Sequence, residues 1–384
     1  MSKRSFGAIA GLAAAGLLLA ACGGSGGDAA SSSAAPTSAA PESSSAEPAP
    51  EPVAAKVGVI LPDAASSARW ETADRPFLEQ AFQAAGDEYD IQNANGDKAK
   101  FATIADQMLA SGINVLMLVN LDSPSAAAVI AKADAQGVPT IDYDRLTLGG
   151  GAQYYVSFDN VAVGTKIGEG LVTCMQNNGN DAGPVVLLNG SPTDNNATLF
   201  KEGYQAVIEG AGYTIAADQS VPDWDNTKAG TIFEQIYTEV GGDLIGVASA
   251  NDGLGGAAIA VLERNGVAGT IPVTGQDATD EGLQRVLLGT QCMTVYKAIK
   301  AEADAAAALA VALAKGEIPT ADGLATGSVV DSETGNTVKA VLLEPVSVFP
   351  ENVKDVIADG FTTYDRVCTT DELKKKCEEY GITP

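Results

Sequence analysis

The sequence predicts an α/β fold with parallel sheets, organised as two lobes. Short apolar runs of four to six residues alternate with amphipathic stretches of ten or more, which is typical of βαβ units. The length of 384 residues suits two lobes at roughly 150 residues per domain. The composition is rich in Ala and Gly with only 5% aromatic residues, which favours an α/β protein over a disulfide scaffold.

The elements follow one another in a regular order along the chain. Helical patterns lie between the strand-like runs, and the connections in such units are right-handed. The predicted strands are Val57–Leu61, Val115–Val119, Thr140–Tyr143, Tyr154–Phe158, Val185–Leu188, Gly246–Ala250, Pro272–Gly275 and Met293–Tyr296. The predicted helices are Lys98–Ala110, Ser125–Ala135, Val161–Gln176, Thr198–Glu209, Thr227–Val240, Leu254–Arg264 and Ala298–Ala314.

The amino terminus has the pattern of an export signal. Lys3 and Arg4 precede an apolar run, Phe6–Ala21, which is short for a membrane span and suits a signal sequence. It ends in small residues before Cys22, which resembles a bacterial lipobox and predicts a signal peptide over residues 1–22 with a lipidated Cys22. The alternative is an ordinary signal peptide with a cysteine there by chance. A lipid anchor of several chains would hold the protein on the outer face of the membrane.

The segment of residues 23–55 is almost entirely Gly, Ser, Ala, Pro and Glu. Such a composition cannot bury enough apolar surface to offset the entropy lost on ordering, so we expect a disordered tether. The folded part is therefore expected to begin near Lys56.

The charge and the missing histidines exclude several classes of function. The net charge of -26, from 49 acidic and 23 basic groups, argues against binding to nucleic acid or anionic lipid. With no histidine, the chain lacks Ser–His and Cys–His nucleophile pairs and most zinc sites. The glycines from Gly253 to Gly256 lack the spacing of a nucleotide loop, and Asn93–Asp97 fits a turn better than a calcium loop. We therefore predict no metal and no cofactor.

Four cysteines outside the signal segment could form disulfides in an exported protein. Cys368 and Cys377 lie nine residues apart near the carboxyl terminus and are a candidate pair. Cys174 and Cys292 could pair or remain as free buried thiols, and the sequence does not decide the connectivity.

Polar residues follow nearly every predicted strand. In parallel sheets the carboxyl ends of the strands form the ligand-binding edge, so these residues are candidates for a site. Asp, Asn and Ser are also preferred helix N-caps, which accounts for some of them, but capping does not explain the two cations, Arg145 and Lys297. The polar residues that follow the predicted strands are Asp63, Asn120, Asp122, Asp142, Asp144, Arg145, Asp159, Asn160, Asn189, Ser191–Asn196, Asn251, Asp252, Gln276, Asp277 and Lys297.

Several of these segments, in this order, resemble the type I periplasmic sugar-binding proteins of ABC importers, and among them the D-xylose-binding family. The resemblance covers about Val57 to Phe361. The matching segments are Arg69-Trp70, Gln92–Gly96, Tyr143-Asp144-Arg145, Tyr155–Asn160, Gly190–Ala197, Ala248–Asp252, Gly275–Ala278 and Met293–Lys297.

The resemblance implies two doubly wound lobes joined by a three-segment hinge, with the ligand in the cleft. The amino-terminal lobe would comprise 56–158 plus 297–340, and the carboxyl-terminal lobe 159–296 plus 341–384. The chain would cross between them near Phe158-Asp159, Tyr296-Lys297 and Pro345–Pro350. The tail from Thr362 to Pro384 extends past the family pattern.

The family's sugar-contacting positions carry over to residues that suit a pyranose. Carboxylates accept from its hydroxyls, cations donate to them, amides do both, and the only two tryptophans can cover the flat faces of the ring. The motif alone does not decide which of Asp194, Asn195 and Asn196 faces the cleft. The expected contacts are Arg69, Trp70, Asp144, Arg145, Asp194, Asn195, Asn196, Trp224, Asn251, Asp277 and Lys297.

The resemblance implies a binding lipoprotein outside the cytoplasm that is not an enzyme. It would be a monomer that captures a monosaccharide, most similar to a D-xylose binder, and delivers it to an ABC permease with a separate ATPase subunit. Glucose, galactose or arabinose remain alternative ligands, a sugar sensor remains an alternative role, and a glycosidase acting through carboxylates is a further alternative. A repressor would need a basic DNA-binding segment in place of this signal and tether.

Overall fold

Two groups of strands organise the chain in the computed structural model, which describes residues 54–384. The predicted signal segment, Cys22 and all but the end of the predicted tether lie outside the described residues. Within the described part, no helix combines the length and apolar character needed to cross a bilayer.

Residues 54–384 form twelve strands and twelve α-helices. The strands are β1 Lys56–Leu61, β2 Glu88–Asn93, β3 Val115–Leu118, β4 Thr140–Tyr143, β5 Tyr154–Phe158, β6 Pro184–Asn189, β7 Thr214–Ser220, β8 Gly246–Ser249, β9 Thr294–Tyr296, β10 Gly327–Val330, β11 Thr337–Leu343 and β12 Val346–Val348. The helices are α1 Arg75–Ala85, α2 Lys98–Ala110, α3 Ser123–Asp134, α4 Asn160–Asn177, α5 Asn195–Gly210, α6 Asn226–Val240, α7 Asp252–Arg264, α8 Asp280–Leu288, α9 Ile299–Ala314, α10 Val353–Ala358, α11 Tyr364–Val367 and α12 Asp371–Glu379.

The larger sheet has seven strands in the order β10-β11-β5-β4-β3-β1-β2. All of its pairings are parallel except that of β10 with β11. Successive residues of β3 point to opposite faces, so Val115 and Met117 enter one apolar cluster while Leu116 and Leu118 enter another. This sheet is therefore buried on both faces, which explains the continuous apolar runs in its central strands.

The second group of strands has the parallel order β7-β6-β8 at its centre. Isolated parallel bridges continue it from Val247 to Val273 and from Thr274 to Met293, next to the antiparallel pair β9 and β12. Helices α4 and α5 pack closely beside it. A Cβ atom at Gly164 would lie 2.0 Å from the carbonyl oxygen of Phe200, so this helix contact requires glycine.

The chain passes between the two groups of strands three times. It does so after β5 at Phe158, after β9 at Tyr296, and between β11 and β12. β11 remains in the larger sheet up to Leu343, beyond the limit at residue 340 expected from the sequence. The two parallel sheets and the crossings confirm the predicted α/β fold class with its three-segment hinge.

The seven predicted helices all form: Lys98–Ala110 has its predicted bounds, and the others differ by at most three residues. The helices α1, α8, α10, α11 and α12 were not predicted. Among the strands, Pro272–Gly275 forms only isolated bridges. The sequence analysis missed β2, β7, β10, β11 and β12. All five are partly exposed, so they lack a continuous buried run. Burial, and not intrinsic strand preference, therefore produced the strand signal in this chain.

The carboxyl-terminal tail packs against α8. Val367, Leu373 and Ile382 join a buried cluster with Leu283 and Val286 of α8. A disulfide joins Cys368 to Cys377 within the tail, and a second one joins Cys174 of α4 to Cys292 before β9. The tail is thus an integral part of the fold.

Candidate functional site

A small cavity of about 20 Å³ lies where the carboxyl ends of the strands of both sheets meet. Its walls include three cationic and three anionic side chains, two tryptophans and several amides and hydroxyls. The lining residues are Ser66, Ser67, Arg69, Trp70, Asp144, Arg145, Asp194, Asn196, Phe200, Trp224, Asn251, Gln276, Asp277 and Lys297.

Ten of the eleven residues expected from the sequence line this cavity, and Asn195 does not. Asn195 is the first residue of α5 and lines a separate groove at the surface with Pro192, Thr193 and Thr198. One step of helix rotates the next side chain by about 100°, so Asn196 turns inward and is buried.

Arg69 is the centre of a buried charge network behind the cavity wall. It precedes a short π-helical turn, Trp70–Asp74, which leads into α1. Its guanidinium donates to Asp74 at 2.6 and 2.8 Å, to Asp144 at 2.8 Å and to Glu302 at 2.8 Å. Burial disfavours its charge, but the three surrounding carboxylates outweigh burial and raise the pKa of Arg69 well above its ordinary value. The guanidinium is therefore held rigidly in one orientation.

Asp144 stays ionised although it is buried. Burial opposes the charge, but Arg69, Lys297 and Arg145 outweigh it and hold the pKa of the Asp144 carboxyl well below its ordinary value. The Nζ of Lys297 lies 3.4 Å from one of its oxygens. Asp144 is thus a permanent acceptor in the cavity wall.

Glu302 and Asp74 behave in the opposite way to Asp144. Burial is the main cause that raises the pKa of both carboxyls above their ordinary values, with Arg69 acting against it. Tyr143 donates its hydroxyl to Asp74 at 2.8 Å, while one oxygen of Glu302 has no hydrogen-bond partner. These two groups support Arg69 from behind and do not line the cavity.

Hydrogen bonds connect the two sides of the cavity directly. Ser67 donates to Asp277 at 2.8 Å, and the side-chain amide of Asn251 donates to the carbonyl oxygen of Ser66 at 3.2 Å. The Nζ of Lys297 lies 3.5 Å from Asp277. Several of the lining groups therefore bond to one another across the cleft.

A second connection across the cleft joins Arg145, Asp194 and Trp224. The Nε of Arg145 lies 2.9 Å from an oxygen of Asp194, which also accepts from the indole N–H of Trp224 at 3.1 Å. The other oxygen of Asp194 accepts from the backbone N–H of Asn196 and caps α5. A residue can thus be a helix cap and line the cavity at once, and the same holds for Asn251 at the start of α7.

Trp70 forms an aromatic wall next to two cations. The guanidinium carbons of Arg69 and Arg145 lie 4.5 and 5.3 Å from the centre of its ring, within cation–π range. Its indole N–H donates to the hydroxyl of Ser66 at 3.1 Å.

Three residues in the cavity wall adopt left-handed backbone conformations, which residues other than glycine rarely adopt. The φ angles are 62° at Asp144, 95° at Asp277 and 55° at Trp224. Each such conformation costs on the order of 1–3 kcal/mol, and such strain concentrates at functional sites. The concentration here is an independent indication that the cavity is the functional site.

The expected sugar contacts lacked four lining residues: Ser66, Ser67, Phe200 and Gln276. Gln276 precedes Asp277 in a segment already singled out, and its buried side-chain oxygen has no partner. Ser66 and Ser67 lie four and three residues ahead of Trp70, inside a loop, so no periodicity marks them. Phe200 has the pattern of a core residue and is one, apart from the edge that reaches the cavity.

The arrangement suits a small neutral molecule rich in hydroxyls. The wall carries both donors and acceptors, aromatic rings supply apolar surface, and the three cations offset the three carboxylates. Across residues 54–384, no three His, Cys, Asp or Glu side chains are grouped in a way that could hold a metal ion. The fold and this site define a ligand-binding protein with two lobes and an interlobe cleft.

The chain belongs to the family described as "Periplasmic binding protein domain", whose model matches residues 57–318. It is 32% identical over 311 residues to the D-xylose-binding periplasmic protein of Escherichia coli, covering 80% of this chain and 90% of the relative. It is also 32% identical over 320 residues to the D-xylose-binding periplasmic protein of Haemophilus influenzae, covering 81% and 92%. These relatives confirm the resemblance seen in the motifs.

A solved structure is similar over the same region. A solute-binding protein of an ABC transporter from Clostridium phytofermentans, with bound β-D-glucose, superimposes with a TM-score of 0.73 at 26% identity, covering 81% of this chain and 99% of that one. A carbohydrate transporter solute-binding protein from Chloroflexus aurantiacus, in complex with D-glucose, gives a TM-score of 0.72 at 27% identity, covering 81% and 97%.

Proposed function

We propose that this protein captures a monosaccharide, D-xylose in the first place, in the interlobe cavity and delivers it to an ABC permease outside the cytoplasm. The observation that carries the proposal is the pairing of charged and amide side chains across the cleft, with a tryptophan on each side. The two relatives named for D-xylose binding, which match most of the chain, support the choice of ligand.

Capture would work by replacing bonds between the two sides with bonds to the sugar. In the structure, Asp277, Arg145 and Asn251 bond to groups on the opposite side. Sugar hydroxyls can both donate and accept, so they would take over these partners while keeping the two sides joined. Binding would thereby favour the arrangement in which both lobes contact the ligand.

Bonds to charged groups give this exchange its strength. A hydrogen bond to a charged partner contributes roughly 1.5–3 kcal/mol net, against about 1 kcal/mol for a neutral pair. Several of them, after the costs of association, correspond to a Kd on the order of 1 μM or tighter.

We also propose that the site binds without catalysis. A glycosidase needs a general acid whose pKa is raised. The cavity carboxylate with a clear shift, Asp144, has its pKa held well below the ordinary value by Arg69, Lys297 and Arg145 despite its burial. Incubation with aryl xylosides and glucosides should therefore release no aglycone.

Isothermal titration with purified residues 54–384 tests the binding proposal. We expect D-xylose to bind with a Kd near or below about 1 μM, and D-glucose, D-galactose and L-arabinose to bind more weakly. Arg145→Ala should reduce the affinity more than about tenfold, because the guanidinium bonds across the cleft. Arg264→Ala is the matched control, since Arg264 forms an exposed pair with Glu234 outside the cavity.

The proposal would be contradicted if no monosaccharide gave a heat of binding, or if Arg145→Ala and Arg264→Ala lost affinity equally. A preference for D-glucose over D-xylose would retain sugar capture and replace the ligand.

We further propose that a lipid on Cys22 anchors the protein and that residues 23–55 act as the tether. The full chain should partition into detergent with membranes, and Cys22→Ser should move it to the soluble fraction.

Recovery of D-xylose uptake in a host lacking its own binding protein tests delivery. Uptake supported equally by a variant that cannot bind xylose would contradict it.

A further inference from the structure

Asp252 is a fully buried carboxylate directly behind the cavity. It is the first residue of α7 and follows Asn251, a residue of the cavity wall. It does not line the cavity itself. Its backbone N–H donates to the carbonyl oxygen of Gln276 at 3.0 Å, which connects it to the segment that carries Asp277.

The carboxylate of Asp252 accepts four hydrogen bonds from three places in the chain. One oxygen accepts from the side-chain amide of Gln291 at 2.7 Å and from the hydroxyl of Thr294 at 2.8 Å. The other accepts from the backbone N–H of Thr279 at 2.9 Å and from its hydroxyl at 3.2 Å. Each oxygen thus accepts from one group that can only donate, the amide of Gln291 or the backbone N–H of Thr279, and these two bonds favour the ionised form.

Two glycines leave the space that this carboxylate occupies. A Cβ atom at Gly275 would lie 2.2 Å from one Asp252 oxygen, and one at Gly282 would lie 2.1 Å from the other. Two glycines from different elements thus border one buried charge. This fit indicates a built feature of the carboxyl-terminal lobe.

The segments joined by Asp252 carry four residues of the cavity wall, one of which is Gln276. Asn251 precedes it, Asp277 lies between Gln276 and Thr279, and Lys297 follows Thr294 by three residues. The backbone at Asp277 and Ala278 is left-handed, with φ of 95° and 49°, so this segment needs bonds from outside to keep its conformation.

We infer that Asp252 is a positioning residue: its ionised carboxylate fixes the segments that carry Asn251, Asp277 and Lys297, and sugar affinity depends on that ionisation. The inference rests on the proposed function of the cavity. Protonation would turn one acceptor into a donor beside an N–H group that can only donate, so that bond would be lost, the segment at Asp277 would loosen and sugar would bind more weakly.

The charged groups around Asp252 place its titration within an accessible range. Burial raises the pKa of Asp252 to about 6, with Arg285 acting against burial and Asp277 adding to it. Arg285 of α8 is the cation that faces it and donates to its backbone carbonyl at 2.6 Å, and Glu281 and Glu263 act on Arg285 in turn. Affinity should therefore fall as the pH decreases through about 6.

Titration with D-xylose between pH 5 and pH 8 tests this inference. The wild-type protein should lose at least about threefold in affinity on going from pH 8 to pH 5. Asp252→Asn should bind about tenfold more weakly at pH 8, because its amide meets donors, and its affinity should not vary with pH. Thr294→Val, which keeps the volume and removes one donor, should shift the midpoint to higher pH even if Asp252→Asn fails to fold.

Asp142→Asn is the matched control. Asp142 is a fully buried carboxylate in the larger sheet whose pKa burial raises to about 7, with bonds from Thr147 acting against burial. It does not line the cavity, so this variant should keep the pH profile of the wild type. The inference is overturned if the pH dependence of D-xylose affinity persists in Asp252→Asn, or if it disappears in Asp142→Asn. Absence of sugar binding by the wild type at every pH would instead overturn the proposed function and the inference with it.

Discussion

Replacing Trp224 with alanine should weaken D-xylose binding about thirtyfold while the protein stays folded. Trp224 is only 5% exposed, and its ring covers Gly190, where a Cβ atom would lie 2.0 Å from the indole. Its N–H donates to Asp194 at 3.1 Å, so the ring is fixed in one orientation at the cavity wall. It is one of only two tryptophans in the chain.

The magnitude follows from the surface that the ring would cover. One face of a pyranose presents roughly 80 Å² of apolar surface to an indole, which at about 25 cal/mol per Å² is worth about 2 kcal/mol. A loss of 1.4 kcal/mol is tenfold in affinity, so 2 kcal/mol is about thirtyfold. The indole bond to Asp194 adds little to this loss, since a sugar hydroxyl can donate to that carboxylate instead.

Isothermal titration of two further variants separates the ring from its N–H group. Trp224→Phe keeps an aromatic face without the donor and should lose less than about tenfold. Tyr237→Ala removes a partly buried ring that packs on Phe233 in the same lobe, so it should reduce stability without changing affinity. An affinity of Trp224→Ala within threefold of the wild type would refute stacking on this residue.

Three other perturbations test separate parts of the structure. Asp277→Ala should weaken sugar binding more than about tenfold in titration, because it removes the partner of Ser67 and Lys297; unchanged affinity would place Asp277 outside the contacts. Replacing Cys368 and Cys377 with serine should lower the Tm in calorimetry by a few degrees, since a disulfide that closes a loop this short contributes roughly 2–3 kcal/mol. Sugar binding should remain intact, and a lost binding signal would show that the tail supports the site. Asp142→Asn should reduce the loss of stability that the wild type shows between about pH 4 and pH 7. Burial raises the pKa of Asp142 to about 7, so the folded state holds this proton more tightly than the unfolded state and stability falls as the pH rises. If denaturation midpoints of the variant vary with pH as steeply as those of the wild type, the reasoning is wrong.

Much of the site could be predicted because its residues follow strands. The rule that strand ends carry ligand groups depends only on the order of elements, and Asp144, Asn251 and Asp277 each follow a buried run. The motif resemblance added Trp224, which follows a partly exposed strand that has no apolar run.

Other parts of the site depend on side-chain direction and distant contacts. Asn195 and Asn196 are identical in type and adjacent in sequence, and only the rotation of α5 separates the buried one from the partly exposed one. Glu302 lies in an Ala-rich helix with no local sign of function, and it meets Arg69 because α9 packs on the π-helical turn. Such contacts join residues far apart in sequence, which no local pattern records.

The sequence by itself determined the α/β class, the positions of seven helices and of the fully buried strands, and most of the polar residues at the cavity, because these follow from periodicity, burial and the geometry of parallel sheets. The tertiary structure decided which groups are ionised and which partners they hold. Asp144 and Glu302 are both buried acids beside Arg69, yet the pKa of one is lowered and that of the other raised. The reason is that charge states depend on all neighbours within a few ångströms, and those neighbours come from segments that only the folded chain brings together.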